Sequence, residues 1–439
     1  MTFPRRNYLQ WLTIAGLLTA VALGGYASTD QRPASPDARA ERWRQDLEFF
    51  ARRFPAVQAD FRKLFPPAKF QEDIRDLERD VPQLSDAEII LRLMRLVAAG
   101  RVSHTWVEPQ DNLEFHPYPL RFSWYSDGAA LIRATKEHKS ALGARIVRIG
   151  SMTPEELEAA VEPYLSHENQ PWLHQLSPEF MLTREVAEHF GLAGPDGRLE
   201  ITLARPGDEP FQLRVTPSSA TEDMISATDA LKLPAPLFRK RPDDWYWYEY
   251  LPGSRALYIQ YSSCQDNPKK SFKEFAGDVF RFVDSLHGPD EVERVIVDLR
   301  FNSGGDSSVI DPLIEGLQSR PRLTASGRLY ALIGRETFSS GMMAAVQLRR
   351  DLHAILMGEP TGSPPNEYGE VKSFTLPNSK IIVRYTTKYF RLLKNSNPQA
   401  VEPDVLIQRS IADFLSGHDQ VLEAAIKQRP LVIQPASSK

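Results

Sequence analysis

Cys264 is the one cysteine in 439 residues. That excludes an internal disulfide and removes the usual cue to redox compartment. The nine histidines, at positions 104, 116, 138, 167, 174, 189, 287, 353 and 418, show no metal-ligand spacing. No HExxH string occurs, so neither a catalytic metal nor a cofactor is expected. An excess of one charge is also missing: 53 Lys and Arg stand against 57 Asp and Glu, for a net charge of -4. Nucleic acid is therefore not an expected partner. Beyond the first 27 residues no apolar run reaches the length of a membrane span.

What is present is an ordinary globular composition, 42% hydrophobic and 25% charged, in a chain long enough for two or three domains with their own cores. The N-terminus reads as an export signal. Arg5 and Arg6 precede an apolar run from Tyr8 to Gly25, and Gly25-Tyr26-Ala27 offers a cleavage site. Residues 1–27 are thus expected to be a signal peptide. The string RRNYLQ resembles the twin-arginine type, with Pro4 where Ser or Thr is usual. An uncleaved anchor is the alternative, and the only membrane contact foreseen. A periplasmic or extracellular location follows. Residues 28–38, a Pro/Ser/Asp stretch, read as a linker.

Residues 39–110 read as an N-terminal helical region. Trp43, Leu47, Phe50 and Phe54 recur at helical spacing, as do Phe70, Ile74 and Leu77, then Ile89, Ile90, Leu93, Leu96 and Val97. Pro66-Pro67 and Val81-Pro82 separate the helices, and Ser85 to Glu88 is a capping box opening the last. That helix runs out at Gly100, and the loop RVSHTWV after it carries Ser103 and His104. A neutral imidazole can take a hydroxyl proton at working pH, which few side chains can do. Residues 118–217 alternate short strands, glycine turns and one capped helix, an α+β module. Residues 218–244, with Pro234, Pro236 and Pro242, read as a second linker. From 245 to 430 the pattern is strand, helix, strand: Ala256–Cys264, Ser271–Leu286, then Val295 onward. That predicts an α/β core with a mostly parallel sheet.

The chemistry concentrates between Val295 and Gly362. VIVDLRFNSGGD (295–306) is a buried strand closing on a turn whose glycines leave backbone N–H groups free to face an anion. A strand at Leu329–Ile333 leads through GRETFSSGMMAA (334–345) into a helix, which places Ser339 and Ser340 at a helix entry. There, free amides and the helix dipole can stabilise developing negative charge.

These motifs in this order, followed by MGEPTGSPPNEYG (357–369), SFTLPNSKIIV (373–383) and VEPDVLI (401–407), resemble the tail-specific and C-terminal processing serine peptidases, the family that includes the tricorn core protease. The resemblance implies a crotonase-like ββα spiral for the catalytic core and a degenerate PDZ-like module over 118–217, able to grip an extended chain by strand addition. It implies Ser339 as nucleophile, at the family's register before the Gly358-Glu359-Pro360-Thr361 turn, and His104 as general base. The amide of Ser340 would be one oxyanion donor and that of Gly304 the other, with Gly305 as the alternative. The Ser-Lys members place a lysine just past the turn, where this chain has 361–366 without one, and Lys372 begins the next strand pattern. The departure points to the tricorn-like branch, in which Ser103 orients His104 and a glutamate stands behind it. Glu402 and Glu359 are the candidates for that glutamate. The expected function is an exported serine peptidase acting on polypeptides. The alternatives are a catalytically inactive peptide- or ligand-binding member of the fold, or a small ester or amide hydrolase.

Overall fold

Aromatic side chains one helical turn apart build the first layer. The computed structural model describes residues 36–108, 115–218 and 223–428; the expected signal peptide and all but the last three residues of the first linker lie outside them. Helix α1 (Pro36–Val57) starts inside that linker, since proline is tolerated in a first helical turn. It packs with α2 (Phe61–Leu64), α3 (Pro67–Asp80) and α4 (Asp86–Ala98), and the breaks fall at the prolines as expected. Ser85 and Glu88 cap α4 reciprocally. The loop after α4 ends in strand β1 (Trp106–Glu108).

The middle of the chain forms an antiparallel sheet in the order β2 (Leu120–Tyr125), β3 (Gly128–Thr135), β4 (Arg145–Ile149), β5 (Leu199–Ala204), β6 (Phe211–Val215). Helices α5 (Pro154–Val161), α6 (Gln170–Met181) and α7 (Arg184–His189) lie between β4 and β5 in sequence. The linker expected over 218–244 is partly structured: β7 (Met224–Ser226) pairs with β3, and Ser226 caps α8 (Ala227–Ala230). A three-residue strand is too short for its alternation to show in sequence.

The last part is built on a six-stranded sheet from β8 (Tyr246–Leu251), β9 (Ala256–Tyr261), β10 (Arg294–Asp298), β11 (Leu329–Ile333), β12 (Ile355–Gly358) and the later β15 (Val405–Leu406), in the order 15-12-11-10-9-8. Strand β8 runs antiparallel to β9 and the rest are parallel. Both faces of the central strands are covered, one by α9 (Phe272–Ser285), α10 (Asp311–Gln318), α11 (Pro321–Thr324) and α12 (Ser340–Leu352), which is why their sequences are continuous apolar runs. The hairpin of β13 (Asn366–Thr375) and β14 (Ile382–Arg391) leaves this sheet and pairs instead with β1. Phe374, Leu376, Ile381, Val383 and Tyr385 of this hairpin share one core with α1, α3 and α4. Residues more than 250 positions apart thus form one layer, and this brings the loop after α4 towards the segment that joins β11 to α12. Among the described residues, no helix is long and apolar enough to cross a membrane.

Two short helices, α13 (Ile411–Ser416) and α14 (Gln420–Lys427), are the last elements among the described residues. The second is held by a buried charge cluster at the mouth of β10. Arg300 donates to both oxygens of Asp419 at 2.8 Å and to Asp298 at 2.6 Å, while the Tyr258 hydroxyl donates to Asp298 at 2.7 Å. Asp419 also caps α14 through the Leu422 amide. Arg300→Ala would leave two buried carboxylates without a cation, and a stability loss of about 3–5 kcal/mol is expected. A urea midpoint unchanged from wild type would contradict this account.

Candidate active site

Asn302 organises the glycine turn after β10. Its side chain donates to Tyr261 O at 2.9 Å and accepts from the Gly304 amide at 2.9 Å, and its own carbonyl accepts from the Phe338 amide at 3.0 Å. The buried Cys264 thiol also donates to it, and burial pushes that thiol up to about 12, so it is not a nucleophile at neutral pH. Helix α12 packs against this turn so closely that a side chain at Gly341 would put its Cβ 2.3 Å from Asn302 O. Gly304 lies against the serine itself. At φ +109°, its missing Cβ would stand 2.8 Å from Ser339 Cβ and 3.2 Å from Ser339 Oγ. Only glycine permits that approach.

Ser339 stands just ahead of α12 with φ 53° and ψ -128°, a conformation that costs a non-glycine residue about 1–3 kcal/mol and is typical of residues held in place for function. The strain is maintained by its surroundings. Thr337 Oγ1 donates to Leu299 O and accepts from the Gly334 amide, the Ser339 amide donates to Ser363 Oγ at 2.9 Å, and the Ser340 hydroxyl donates to Gly305 O at 2.7 Å. The Ser339 side chain makes no capping bond, so its hydroxyl is not consumed by the helix it precedes. Among the described residues the amides of Ser340 and Gly305 have no hydrogen-bond partner. The amide of Gly304, the preferred second donor, is instead taken by Asn302. A donor already satisfied by a buried carbonyl is a poorer oxyanion ligand than a free one, and of the two glycines it is Gly305 whose amide is free among the described residues.

His104 lies in the tight turn closed by the Thr105 amide on Val102 O. Thr105 Oγ1 donates to Gln58, whose amide group donates to Thr386 on β14, locking the loop onto the hairpin. The imidazole stacks on Phe338, the residue before Ser339, with ring centroids 4.5 Å apart, and Trp172 of α6 stacks on the other face of Phe338 at 3.8 Å. His104 is thus stacked on the residue that precedes Ser339, and no hydrogen bond joins the histidine to the serine. Burial pushes the His104 imidazole down to about 4, so it is neutral and able to accept a proton at neutral pH.

Ser103 does not touch the ring. Its hydroxyl donates to Glu168 at 2.9 Å and its amide to the same oxygen at 3.4 Å. The carboxylate facing His104 Nδ1 is that of Glu367, at 3.8 Å. Glu168, Glu367 and His104 form one group whose nearest polar atoms lie within 4.8 Å of one another. Burial pushes Glu168 up to about 7, with the Ser103 bonds partly offsetting it. Burial and then the nearby Glu168 charge push Glu367 well above the ordinary carboxylate range. The Ser363 hydroxyl eases that shift but lies outside hydrogen-bonding geometry, so both Glu367 oxygens are unpartnered.

The two glutamates considered from sequence lie elsewhere. Glu359 pairs with Arg335 and Glu402 is exposed with its carbonyl held by Arg349; neither approaches His104 because the turns bearing them face other elements. Lys372 lies at the rim of the hairpin and reaches none of these groups. Glu168 immediately precedes Asn169, which caps α6 and donates to Thr361 O and Gln399 O. Glu367 opens β13 inside one of the recognised motifs. Nothing local marks either as a partner of His104, because the contact depends on the packing of the middle sheet and the hairpin against the His loop.

This arrangement, a mostly parallel sheet with a glycine turn and serine at its mouth, a helical layer carrying the histidine and an antiparallel α+β module between, is a fold already seen in solved structures. A particular protein whose structure it resembles is CPAF. Mature CPAF superposes with a TM-score of 0.62 at 14% identity, covering 89% of this chain and 97% of that one. The complex of mature CPAF with lactacystin gives 0.61 at 13% identity, over 89% and 98%. No protein-family model matches the sequence, nor does any curated protein.

Proposed function

We propose that the chain is an exported serine peptidase that cleaves polypeptides through an acyl-enzyme on Ser339. The observation that carries this reading is the strained, uncapped Ser339, packed between the glycine turn and a ring stack that ends in a buried, neutral histidine. The fold shared with CPAF supports it.

In this mechanism Nδ1 of His104 faces Glu367, which leaves Nε2 to take the proton of Ser339 as Oγ attacks the scissile carbonyl. The C–O bond forms, the carbonyl π pair moves to oxygen, and the amides of Ser340 and Gly305 stabilise the oxyanion at the positive end of α12. Collapse breaks the C–N bond, and the imidazolium returns its proton to the leaving amine. Water, deprotonated by the same ring, then releases the acyl group. Glu367 stabilises the imidazolium, and Glu168 with Ser103 fixes the loop on which His104 rides. The core follows the crotonase-like ββα plan, and residues 118–217 act as the PDZ-like module that grips an extended chain by adding it to their sheet.

The test is the intact mass of the purified protein after exposure to a fluorophosphonate at about pH 8 with a chelator present, where a histidine with its lowered pKa is neutral. A single adduct is expected, absent from Ser339→Ala and His104→Ala. No adduct on folded wild-type protein would sink the peptidase reading and favour a binding member of the fold. An adduct with turnover of short esters but none of unfolded protein would identify a small-ester hydrolase.

A further inference from the structure

The group around His104 has an unusual deficit. His104 is 5% exposed and Glu367 is 1% exposed, yet among the described residues both ring nitrogens of the first and both oxygens of the second have no hydrogen-bond partner. Among the described residues, Glu168 accepts hydrogen bonds from Ser103 alone. Among the described residues no lysine or arginine pairs with Glu168 or Glu367: the only ion-pair partner either has is the neutral imidazole. A buried carboxyl group, a half-buried one and a buried imidazole thus hold unused lone pairs within 4.8 Å of one another. A buried acceptor left unpaired costs about 1–3 kcal/mol, and a cation shared by all three side chains would satisfy several of these acceptors at once.

We propose that His104, Glu168 and Glu367 bind one zinc-type divalent cation, and that the ion switches the hydrolytic site off. One imidazole nitrogen with two carboxylates is a borderline ligand set suited to zinc and its first-row neighbours. Calcium would want six to eight oxygens. The ligand atoms already lie within 4.8 Å of one another. Ligands about 2.1 Å from a shared zinc stand about 3.3 Å apart, so rotations that move each atom by about 1 Å close the site. An ion on Nδ1 leaves the ring's single proton on Nε2, the nitrogen that must be bare to accept the proton of Ser339. The ion therefore inhibits instead of catalysing. Binding stands on the geometry alone; its inhibitory effect rests on His104 being the base.

The experiment uses chelator-stripped full-length protein titrated with zinc, with the retained metal counted after desalting, and with cobalt, read by its visible ligand-field absorption. Wild type and Ser339→Ala are expected to hold one ion per chain, and Glu367→Gln and Glu168→Gln to bind at least about tenfold more weakly. His104→Ala should lose the nitrogen-ligand signature of bound cobalt. Wild-type hydrolysis should fall as zinc is added and return with chelator. No stoichiometric binding to wild type would overturn the proposal, as would binding unchanged in Glu367→Gln, the result expected if exposed histidines such as His418 hold the metal. Because Ser339→Ala is scored by metal content, a failure of the peptidase reading leaves this outcome readable. Zinc that binds at the site without affecting turnover would overturn the inhibitory half.

Discussion

Ser339→Ala is expected to lower kcat for peptide hydrolysis by about 10^4- to 10^6-fold, the scale seen when a serine nucleophile that works with a histidine is deleted. The same position predicts a stability effect of opposite sense. Ser339 is held at φ 53°, ψ -128°, and alanine keeps the Cβ that makes this conformation costly. Glycine does not. Ser339→Gly should therefore be as inactive as Ser339→Ala but more stable than it by about 1 kcal/mol, read as a higher urea midpoint at equal slope. If the two variants unfold together, the turn is not strained. If Ser339→Ala keeps more than about a hundredth of wild-type kcat, Ser339 is not the nucleophile, since loss of that group costs far more.

Glu367→Gln should reduce kcat by about 10^2- to 10^4-fold, because an imidazolium formed at His104 would lose the one carboxylate that faces it. Unlike most site mutations, it should also raise stability at alkaline pH. A carboxyl group whose folded pKa lies above its unfolded value favours the fold when protonated. That stability is complete below the unfolded pKa and is lost as pH rises through the folded one. Glu367 is displaced in that direction, and Glu168 reaches about 7 from an ordinary 4.5. With a chelator present, Glu367→Gln and Glu168→Gln should each melt above wild type at pH 8 and close to it at pH 4.5. For Glu168 the gain is about 3 kcal/mol at most, since each tenfold change in proton affinity is worth about 1.4 kcal/mol. His104 has the opposite sign. Its folded pKa of about 4 lies below the ordinary 6.5, so its contribution is complete above 6.5 and lost as pH falls toward 4. The two effects oppose each other where they overlap, between about pH 4.5 and 6.5, and the loss on the alkaline side should be weakened in either glutamine variant. A Glu367→Gln protein less stable than wild type at pH 8 would show that the carboxylate has a cation partner there.

Much of this was legible from the chain alone. The aromatic spacing of α1 and α3, the capping box at Ser85 and the proline breaks are local signals, and local structure follows them because helix formation depends on neighbours three and four residues away. The runs read as strands at 256–264, 295–297 and 329–333 fall on β9, β10 and β11, because both faces of a parallel sheet are covered. The order of turn, strand and serine placed Ser339 at a helix entry, and the lack of a lysine after Thr361 removed a Ser-Lys pair from consideration.

The rest depended on contacts between distant segments. Whether Gly304 or Gly305 keeps a free amide is decided by where the Asn302 side chain turns. Which glutamate faces His104 is decided by the β13–β14 hairpin pairing with β1 across more than 250 residues, and by α6 bringing Trp172 and Glu168 to the same loop. By itself the sequence determined the helices, the buried strands and the glycine turn, because each is written in adjacent residues, while Ser339 and His104 were singled out by resemblance to a family. Only the tertiary structure decided which carboxylates surround the histidine, how deeply they are buried and therefore how far their protons are displaced. Burial and charge proximity are properties of packing, and no local pattern encodes them.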